Sequence, residues 1–241
     1  MKNKDFFYQQ YNKINWENQK KTKINSFLYN FIIKNIILKK KSQSIKIFDI
    51  GFGIGFFMKM LNDKIRKFYK NIVLEGCEPS DKNYKNFIKN SWKPIKEIKI
   101  KTHNKTFLET KTDIKFDFIT AIYVFPHFTS EDLTKTIQKI HSMLELEGKF
   151  ILVVANERYI ESKLKTKKDL FIEKNLVKLG NRKYKEILHY SEIPEIGKLI
   201  DYNREESFYV DLFKKNKFKL IQKKDLNDSE FICTIFIFEK I

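Results

Sequence analysis

Cysteine, proline, arginine and alanine are all scarce in this chain of 241 residues, which has two cysteines and four prolines. Cys77 and Cys233 each lie in an apolar run typical of a β-strand, which excludes a disulfide framework and a cysteine-rich zinc site. We predict no metal site. No stretch reaches the roughly 18 uninterrupted apolar residues of a membrane span, and the N-terminus lacks an apolar signal core. We therefore expect a soluble, cytoplasmic protein with no membrane partner.

The charge is strongly one-sided. The formal net charge is +18, and only four of the 48 basic residues are arginine. Basic proteins often bind nucleic acids, because neutralised phosphates release counterions. These lysines are spread along the whole chain, however, and arginine makes the best bidentate contacts with phosphate and guanine. A solvated basic surface is the favoured interpretation, and a nucleic-acid partner remains the alternative.

Hydrophobic residues at 42% and aromatic residues at 15% provide ample material for a packed core and exclude a disordered chain. Apolar runs alternate with helical patterns from residue 45 onward. Predicted strands cover residues 45–50, 72–77, 95–100, 116–123, 149–155, 218–222 and 231–238, and predicted helices cover 54–61, 80–90, 130–146 and 204–216. This alternation predicts an α/β fold with a mostly parallel sheet and helices on both faces. The last two strands predict a hairpin, with the final strand antiparallel.

Other features divide the chain further. Apolar positions at helical spacing predict helices in the N-terminal 43 residues. Residues 156–203 break the alternation with weak periodicity, which indicates an insertion. We therefore predict one domain, composed of an N-terminal helical cap (1–43), a cofactor-binding core (44–155), a substrate lid (156–203) and a C-terminal helix with two strands (204–241). The helix at residues 130–146 is expected to have Ser130 as its N-cap and Gly148 just after its end.

A glycine-rich turn follows the first predicted strand and opens a helix. It reads acidic-x-Gly-x-Gly-x-Gly, at Asp49, Gly51, Gly53 and Gly55. The dinucleotide fingerprint G-x-G-x-x-G requires glycine where Phe56 stands, and Asp49 would repel a pyrophosphate. A ligand with a sulfonium and an α-ammonium group would instead be attracted to this carboxylate. The turn therefore favours S-adenosylmethionine over a dinucleotide.

Glu78 ends the next strand, where a carboxylate can accept hydrogen bonds from both ribose hydroxyls. The same placement serves NAD in dinucleotide folds, so Glu78 alone does not discriminate between the two cofactors. An alternative interpretation is that Glu78 only caps the helix that starts near Ser80.

At these residues the sequence resembles the class I S-adenosylmethionine-dependent methyltransferases. Residues 115–127 look like that family's fourth strand and following loop, and residues 143–152 look like its helix, glycine turn and fifth strand. The resemblance implies a Rossmann-like, seven-stranded sheet with the last strand antiparallel and an insertion after strand five. It also implies that S-adenosylmethionine binds across strands one, two and four and leaves as S-adenosylhomocysteine.

The resemblance adds candidate cofactor contacts at the next strands. Asn104 stands where the family often has an acidic residue beside adenine, and Thr106 follows in the same loop. Ala121 and Tyr123 end the fourth strand. An ordinary polar loop is the alternative interpretation of residues 103–107.

The acceptor side is less specific. An alcohol acceptor needs a general base, whereas an amine needs little deprotonation, and His127 is the best placed of the four histidines. It could also simply pack within its loop. Aromatic and polar residues that could cover the substrate are Tyr8, Tyr11, Trp16, Tyr159, His189 and Tyr190. These residues could equally be part of the core.

The loop after strand four reads Tyr123-Val124-Phe125-Pro126, without the Asn/Asp-Pro-Pro-aromatic motif of amino-methyltransferases that act on nucleic-acid bases. We therefore expect a small-molecule acceptor, with O-methylation ahead of N-methylation and a sugar or surface-polysaccharide precursor as one candidate. The alternatives are an RNA methyltransferase that uses the basic surface and a non-catalytic binding protein with this fold. The sequence predicts no oligomeric state.

Overall fold

A seven-stranded sheet forms the centre of the molecule. The computed structural model describes residues 23–38, 43–89, 98–193, 197–227 and 232–241. The strands are β1 (Ser44–Ile50), β2 (Asn71–Cys77), β3 (Ile98–His103), β4 (Phe116–Ile122), β5 (Leu144–Ala155), β6 (Phe171–Leu179), β7 (Arg182–Ile193), β8 (Gly197–Arg204), β9 (Phe218–Asn227) and β10 (Ile232–Lys240). The helices are α1 (Lys23–Leu38), α2 (Phe56–Ile65), α3 (Asp81–Lys89), α4 (Ser130–Met143), α5 (Glu157–Thr166) and α6 (Glu206–Lys215).

The central sheet has the order β3-β2-β1-β4-β5-β10-β9. Strands β1 to β5 are parallel to one another, and β10 is antiparallel to both β5 and β9. This confirms the predicted Rossmann-like sheet with its last strand antiparallel. The strand order reverses between β1 and β4. Open α/β sheets bind ligands beyond the carboxyl ends of the strands at such a reversal, and we call this place the crevice.

Helices cover both faces of the sheet, which explains why its inner strands read as nearly continuous apolar runs. One apolar core joins the sheet to α4 and α6 through residues such as Ile137, Phe213 and Phe236. The other joins it to α1, α2 and α3 through residues such as Ile32 and Met58. Within the described ranges, no helix combines the length and apolarity needed to cross a membrane.

The segment between β5 and α6 forms a structural unit that the sequence did not predict in detail. It contains α5, the short 3-10 helix Lys168–Leu170 and a three-stranded antiparallel sheet with the order β6-β7-β8. Strand β6 has no fully buried residue, so it lacks the clean alternation by which a strand is recognised. The insertion after strand five is therefore present, and its role as a lid remains a prediction.

Several predicted boundaries were wrong. Thr129, not Ser130, caps α4, because its Oγ1 accepts a hydrogen bond from the Asp132 amide at 3.2 Å. The helix ends at Met143, and β5 starts at Leu144, so Gly148 lies inside a strand rather than after a helix.

The other boundary errors are smaller. Helix α2 starts at Phe56 rather than at residue 54, because Gly55 is its left-handed N-cap. Strand β3 runs to His103 because Ile98 to His103 pair in parallel with β2. Strand β9 continues to Asn227 in its ladder with β10, beyond its predicted end at residue 222.

Candidate active site

The glycine turn lies where β1 leaves the sheet. Its three glycines have positive φ, +66° at Gly51, +58° at Gly53 and +84° at Gly55. A Cβ on Gly51 would lie 2.6 Å from Val124 Cγ2, so close packing against the loop after β4 excludes a side chain there. A Cβ on Gly53 would meet nothing within 4 Å. Gly53 therefore borders open space and leaves the backbone accessible to a ligand.

Asp49 lies at the base of this turn and is only 3% exposed. Its Oδ1 accepts a hydrogen bond from Thr120 Oγ1 at 2.6 Å, across the β1–β4 ladder. Burial raises the pKa of Asp49 from its usual 3.8 to about 7, and the neighbouring Glu78 adds to the rise, while the Thr120 hydroxyl opposes it. The anionic form of Asp49 is therefore costly in the free protein, and a bound cation would stabilise it.

Glu78, 5% exposed, follows β2 and faces the same turn. Its Oε2 accepts a hydrogen bond from the Gly53 amide at 2.8 Å, and its Oε1 accepts one from the Ser80 amide at 2.9 Å. Burial raises its pKa, and these amides, Asn83 and His127 partly offset the rise. Glu78 therefore both supports the start of α3 and holds the middle of the glycine turn, and the two interpretations of Glu78 are compatible.

The candidate adenine-side residues lie in the loop after β3. Asn104 Nδ2 donates a hydrogen bond to Asp81 Oδ1 at 2.6 Å, beside the N-terminus of α3. Thr106 Oγ1 donates to Glu109 Oε2 at 2.6 Å in a local turn. The His103 carbonyl accepts the Glu78 amide at 3.0 Å, which connects this loop to the crevice.

At the end of β4 the two candidate residues occupy different environments. Ala121 is fully buried in the core beside α4. Tyr123 has a positive φ of 59°, and its amide donates to the Val153 carbonyl at 2.9 Å. A non-glycine residue in this conformation is strained and is often found at functional sites. The bend directs the chain into the short helix Phe125–His127.

His127 ends that short helix and is paired with the insertion. Its Nδ1 lies 2.9 Å from Oδ1 of Asp201 on β8, and the two side chains are 15% and 16% exposed. Ser191 Oγ donates a hydrogen bond to the other Asp201 oxygen at 2.5 Å. Burial disfavours ionisation of Asp201, but His127, Ser191 and His189 together hold its pKa below the usual value. His127 also interacts electrostatically with Glu78, so it is close to the crevice.

Arg204 fixes the loop that carries His127. Its Nε donates to Glu186 Oε2 at 2.6 Å, and the two side chains are 1% and 8% exposed. Its Nη2 donates to the Phe128 carbonyl at 2.7 Å, and its Nη1 donates to the Phe125 carbonyl at 3.4 Å. This buried ion pair therefore joins β7 and β8 to both ends of the His127 turn.

Sequence reasoning missed Asp201, Arg204 and Glu186. Asp201 is 74 positions from His127, and only the packing of β8 against the turn after β4 brings them together. The rarity of arginine was an available signal, because Arg204 is one of four in a chain with 48 basic residues.

The three candidate substrate residues of the insertion have different surroundings. His189 is 3% exposed, lies opposite Asp201 in the β7–β8 ladder, and borders a small cavity with Pro126, Ile160 and Tyr202. Tyr159 packs beside the small apolar core of α5. Tyr190 is 37% exposed. The candidates Tyr8, Tyr11 and Trp16 lie outside the described residues.

Comparison with known proteins agrees with this geometry. Residues 24–223 match a family model described as a methyltransferase domain. Magnesium protoporphyrin IX methyltransferase from Synechocystis PCC 6803, with bound S-adenosylhomocysteine, is similar at 10% identity and a TM-score of 0.64, over 98% of this chain and 94% of that chain. An S-adenosylmethionine-dependent methyltransferase from Clostridium acetobutylicum is similar at 14% identity and a TM-score of 0.57, over 98% of each chain. The N-methyltransferase NodS from Bradyrhizobium japonicum WM9, in complex with S-adenosylhomocysteine, is similar at 10% identity and a TM-score of 0.59, over 92% of this chain and 89% of that chain. No curated protein matches the sequence.

The sheet order, the glycine turn and the two buried carboxylates define a protein of the class I methyltransferase type. Because the family model covers more than half of the chain, the chain belongs to the methyltransferase-domain family. The resemblance to class I S-adenosylmethionine-dependent methyltransferases is confirmed. The predicted cofactor, S-adenosylmethionine with S-adenosylhomocysteine as product, agrees with the ligands in the neighbouring structures.

Proposed function

We propose that this chain is an S-adenosylmethionine-dependent methyltransferase that acts on a small-molecule acceptor, with O-methylation favoured over N-methylation. The single observation that supports cofactor binding is the pair of buried carboxylates, Asp49 and Glu78, on either side of a glycine turn that borders open space. Buried charges are costly unless they are paired, so this arrangement fits a ligand that is cationic and rich in hydroxyl groups.

The residues around the turn fit different parts of the cofactor. Asp49 is suited to the positive end of the ligand, directly or through water, because a cation there would stabilise its ionised form. The Glu78 carboxylate accepts the Gly53 and Ser80 amides and a side-chain hydrogen bond from Asn83, so one of its four lone pairs is left for a ribose hydroxyl. When bound, S-adenosylmethionine supplies a methyl group on a positively charged sulfur. The chain's own contribution is to hold the acceptor in line with that methyl group.

Two observations support the preference for a small hydroxyl acceptor. The loop after β4 lacks the motif of nucleic-acid amino-methyltransferases. His127, which follows that loop, has a carboxylate partner in Asp201 and can serve as a general base. The neighbouring structures include both a porphyrin methyltransferase and an N-methyltransferase, so their names do not decide between the acceptor atoms.

Calorimetric titration with S-adenosylmethionine tests the cofactor assignment. The expected result is micromolar binding by the unaltered chain and a loss of about 10- to 100-fold in Asp49→Asn, because a charge-assisted contact is worth roughly 1.5 to 3 kcal/mol. Asp63→Asn, an acid-to-amide change on the exposed side of α2, is the matched control and should bind normally. Absence of binding by the unaltered chain would instead favour the non-catalytic binding protein.

The net charge of +18 supports an RNA methyltransferase as the second candidate. An RNA substrate would bind with an affinity that falls steeply as salt rises, because each phosphate contact releases a counterion. Methyl transfer from labelled cofactor to RNA, compared with transfer to a panel of hydroxyl and amine metabolites, distinguishes the two functions. Transfer to RNA alone would overturn the small-molecule proposal.

A further inference from the structure

His127, the proposed general base, has a carboxylate partner that comes from the insertion. His127 belongs to the turn after β4, whereas Asp201 belongs to β8 of the insertion, and the distance from Nδ1 to Oδ1 is 2.9 Å. The contact is an electrostatic one at ion-pair distance, because the Nδ1 and Oδ1 atoms are not aligned as a hydrogen bond. The negative charge of a carboxylate at this distance still favours the imidazole form in which Nδ1 carries the hydrogen. The lone pair that accepts a proton is then on Nε2.

Asp201 is itself held in place from several directions. Ser191 Oγ donates to its second oxygen at 2.5 Å. His189 lies directly opposite it in the β7–β8 ladder, and burial lowers the pKa of His189, although Asp201 opposes that shift. The groups that face the His127–Asp201 pair from neighbouring elements are therefore Ser191 and His189 on β7, Glu78 after β2 and Tyr209 on α6.

Arg204 extends the same arrangement. It lies three residues after Asp201 and donates hydrogen bonds to the carbonyls of Phe125 and Phe128, on either side of His127. The same strand therefore fixes both the backbone of the turn and the orientation of the imidazole. A histidine that only filled space in the loop would need neither contact.

We propose that Asp201 is a positioning residue that holds His127 with its hydrogen on Nδ1, so that Nε2 accepts the proton of a hydroxyl acceptor. This inference rests on the proposed function and narrows its acceptor class. The acceptor oxygen forms the bond to the methyl carbon and gives its proton to Nε2. The electron pair of the broken carbon–sulfur bond stays on sulfur, so charge and atoms balance. An amine acceptor would not require this base.

Nitrogen-15 NMR of the histidine rings tests the positioning role without any ligand, since ring shifts report which nitrogen carries the hydrogen. The chain has only four histidines, and His127→Gln identifies the relevant signals. The expected result is an Nδ1–H ring at His127 in the unaltered chain and a larger Nε2–H population in both D201N and D201A. If D201A does not fold, D201N, which keeps the side-chain volume, decides the test.

Glu192→Gln is the matched control, because Glu192 is another acid of the insertion, and its ion pairs are with Lys167 at 2.8 Å and Lys198 at 3.4 Å. Its His127 signals should be unchanged. An Nε2–H ring in the unaltered chain, or the same ring form in the unaltered chain and both Asp201 variants, would overturn the positioning role.

Methyl transfer to a panel of sugars, phenols and amines tests the acceptor class. The expected result is transfer to a hydroxyl acceptor, with kcat at least about tenfold lower in D201N and an unchanged Kd for the cofactor. Transfer to amines only, or to no hydroxyl acceptor by a chain that binds the cofactor, would overturn the hydroxyl assignment. Failure of cofactor binding itself would overturn the proposed function instead, so the two failures are distinguishable.

Discussion

The proposed cofactor side and the proposed acceptor side of the crevice are built in different ways. On the proposed cofactor side, Asp49, Gly53 and Glu78 lie within 30 residues of sequence, and each lies close to the carboxyl end of β1 or β2. On the proposed acceptor side, His127 lies in the turn after β4 of the central sheet. Its partner Asp201 is 74 residues later in the sequence, on β8 of the three-stranded sheet. Local motifs therefore describe the first half of the site, and only the tertiary structure describes the second.

The largest effect is expected where the insertion joins the core. Arg204→Ala leaves Glu186 buried without its charge partner, and removal of one member of a buried pair costs roughly 3 to 5 kcal/mol. Chemical denaturation should show this loss of unfolding free energy. The matched control is Arg182→Ala, which breaks an exposed, solvent-screened pair with Asp211 and should cost far less. Equal losses in the two variants would show that the insertion is not held in this way.

The next effect concerns Asp49, whose carboxylate is proposed to favour cofactor binding but lowers the unfolding free energy of the protein. The folded protein raises the pKa of Asp49 to about 7, whereas the unfolded chain ionises this carboxyl near 3.8. The folded state therefore binds more protons between these values, and the unfolding free energy contribution of Asp49 falls as pH rises from about 4 to about 7.

Asp49→Asn removes that contribution. We expect the variant to melt at a higher temperature than the unaltered chain at pH 7, with a smaller difference near pH 4, even though it binds the cofactor more weakly. Thermal melts monitored by circular dichroism at both pH values measure the effect. A variant that is less stable at pH 7 would contradict the assigned cost of burying this carboxylate.

The glycine turn provides a comparison within a single motif. Gly51→Ala adds a Cβ 2.6 Å from Val124 Cγ2, whereas Gly53→Ala meets no atom within 4 Å. Both changes cost about 1 to 2 kcal/mol for a left-handed backbone conformation, and only Gly51→Ala adds a steric cost. Denaturation curves should therefore rank Gly51→Ala as the less stable variant, and Val124→Ala in the same chain should recover part of its loss.

The smallest effect concerns the boundary of α4. Thr129→Ala removes the hydroxyl that accepts the Asp132 amide and should cost about 1 kcal/mol, the usual value of an N-cap. Ser130→Ala removes only a hydrogen bond to Glu186 at 3.3 Å and should cost less. Thermal melts compare the two, and the reverse order would restore Ser130 as the cap.

The sequence was sufficient for the sheet and for the glycine turn at the end of β1, because strand periodicity and the turn are local features. Three kinds of information were beyond it. The cap at Thr129 depends on which of two adjacent hydroxyls meets an amide. The strands of the insertion lack clean alternation because β6 is largely exposed. The contact between His127 and Asp201 depends on how β8 packs against the turn after β4, which no spacing in the sequence encodes.

The raised pKa of Asp49 has a further consequence for how binding is measured. A carboxyl group with a pKa of about 7 is roughly half protonated in neutral solution. A cation that binds beside it therefore releases, on average, a fraction of a proton per complex into the buffer. The measured enthalpy of complex formation should therefore vary with the ionisation enthalpy of the buffer. The slope of that dependence counts the protons released as the cation takes their place.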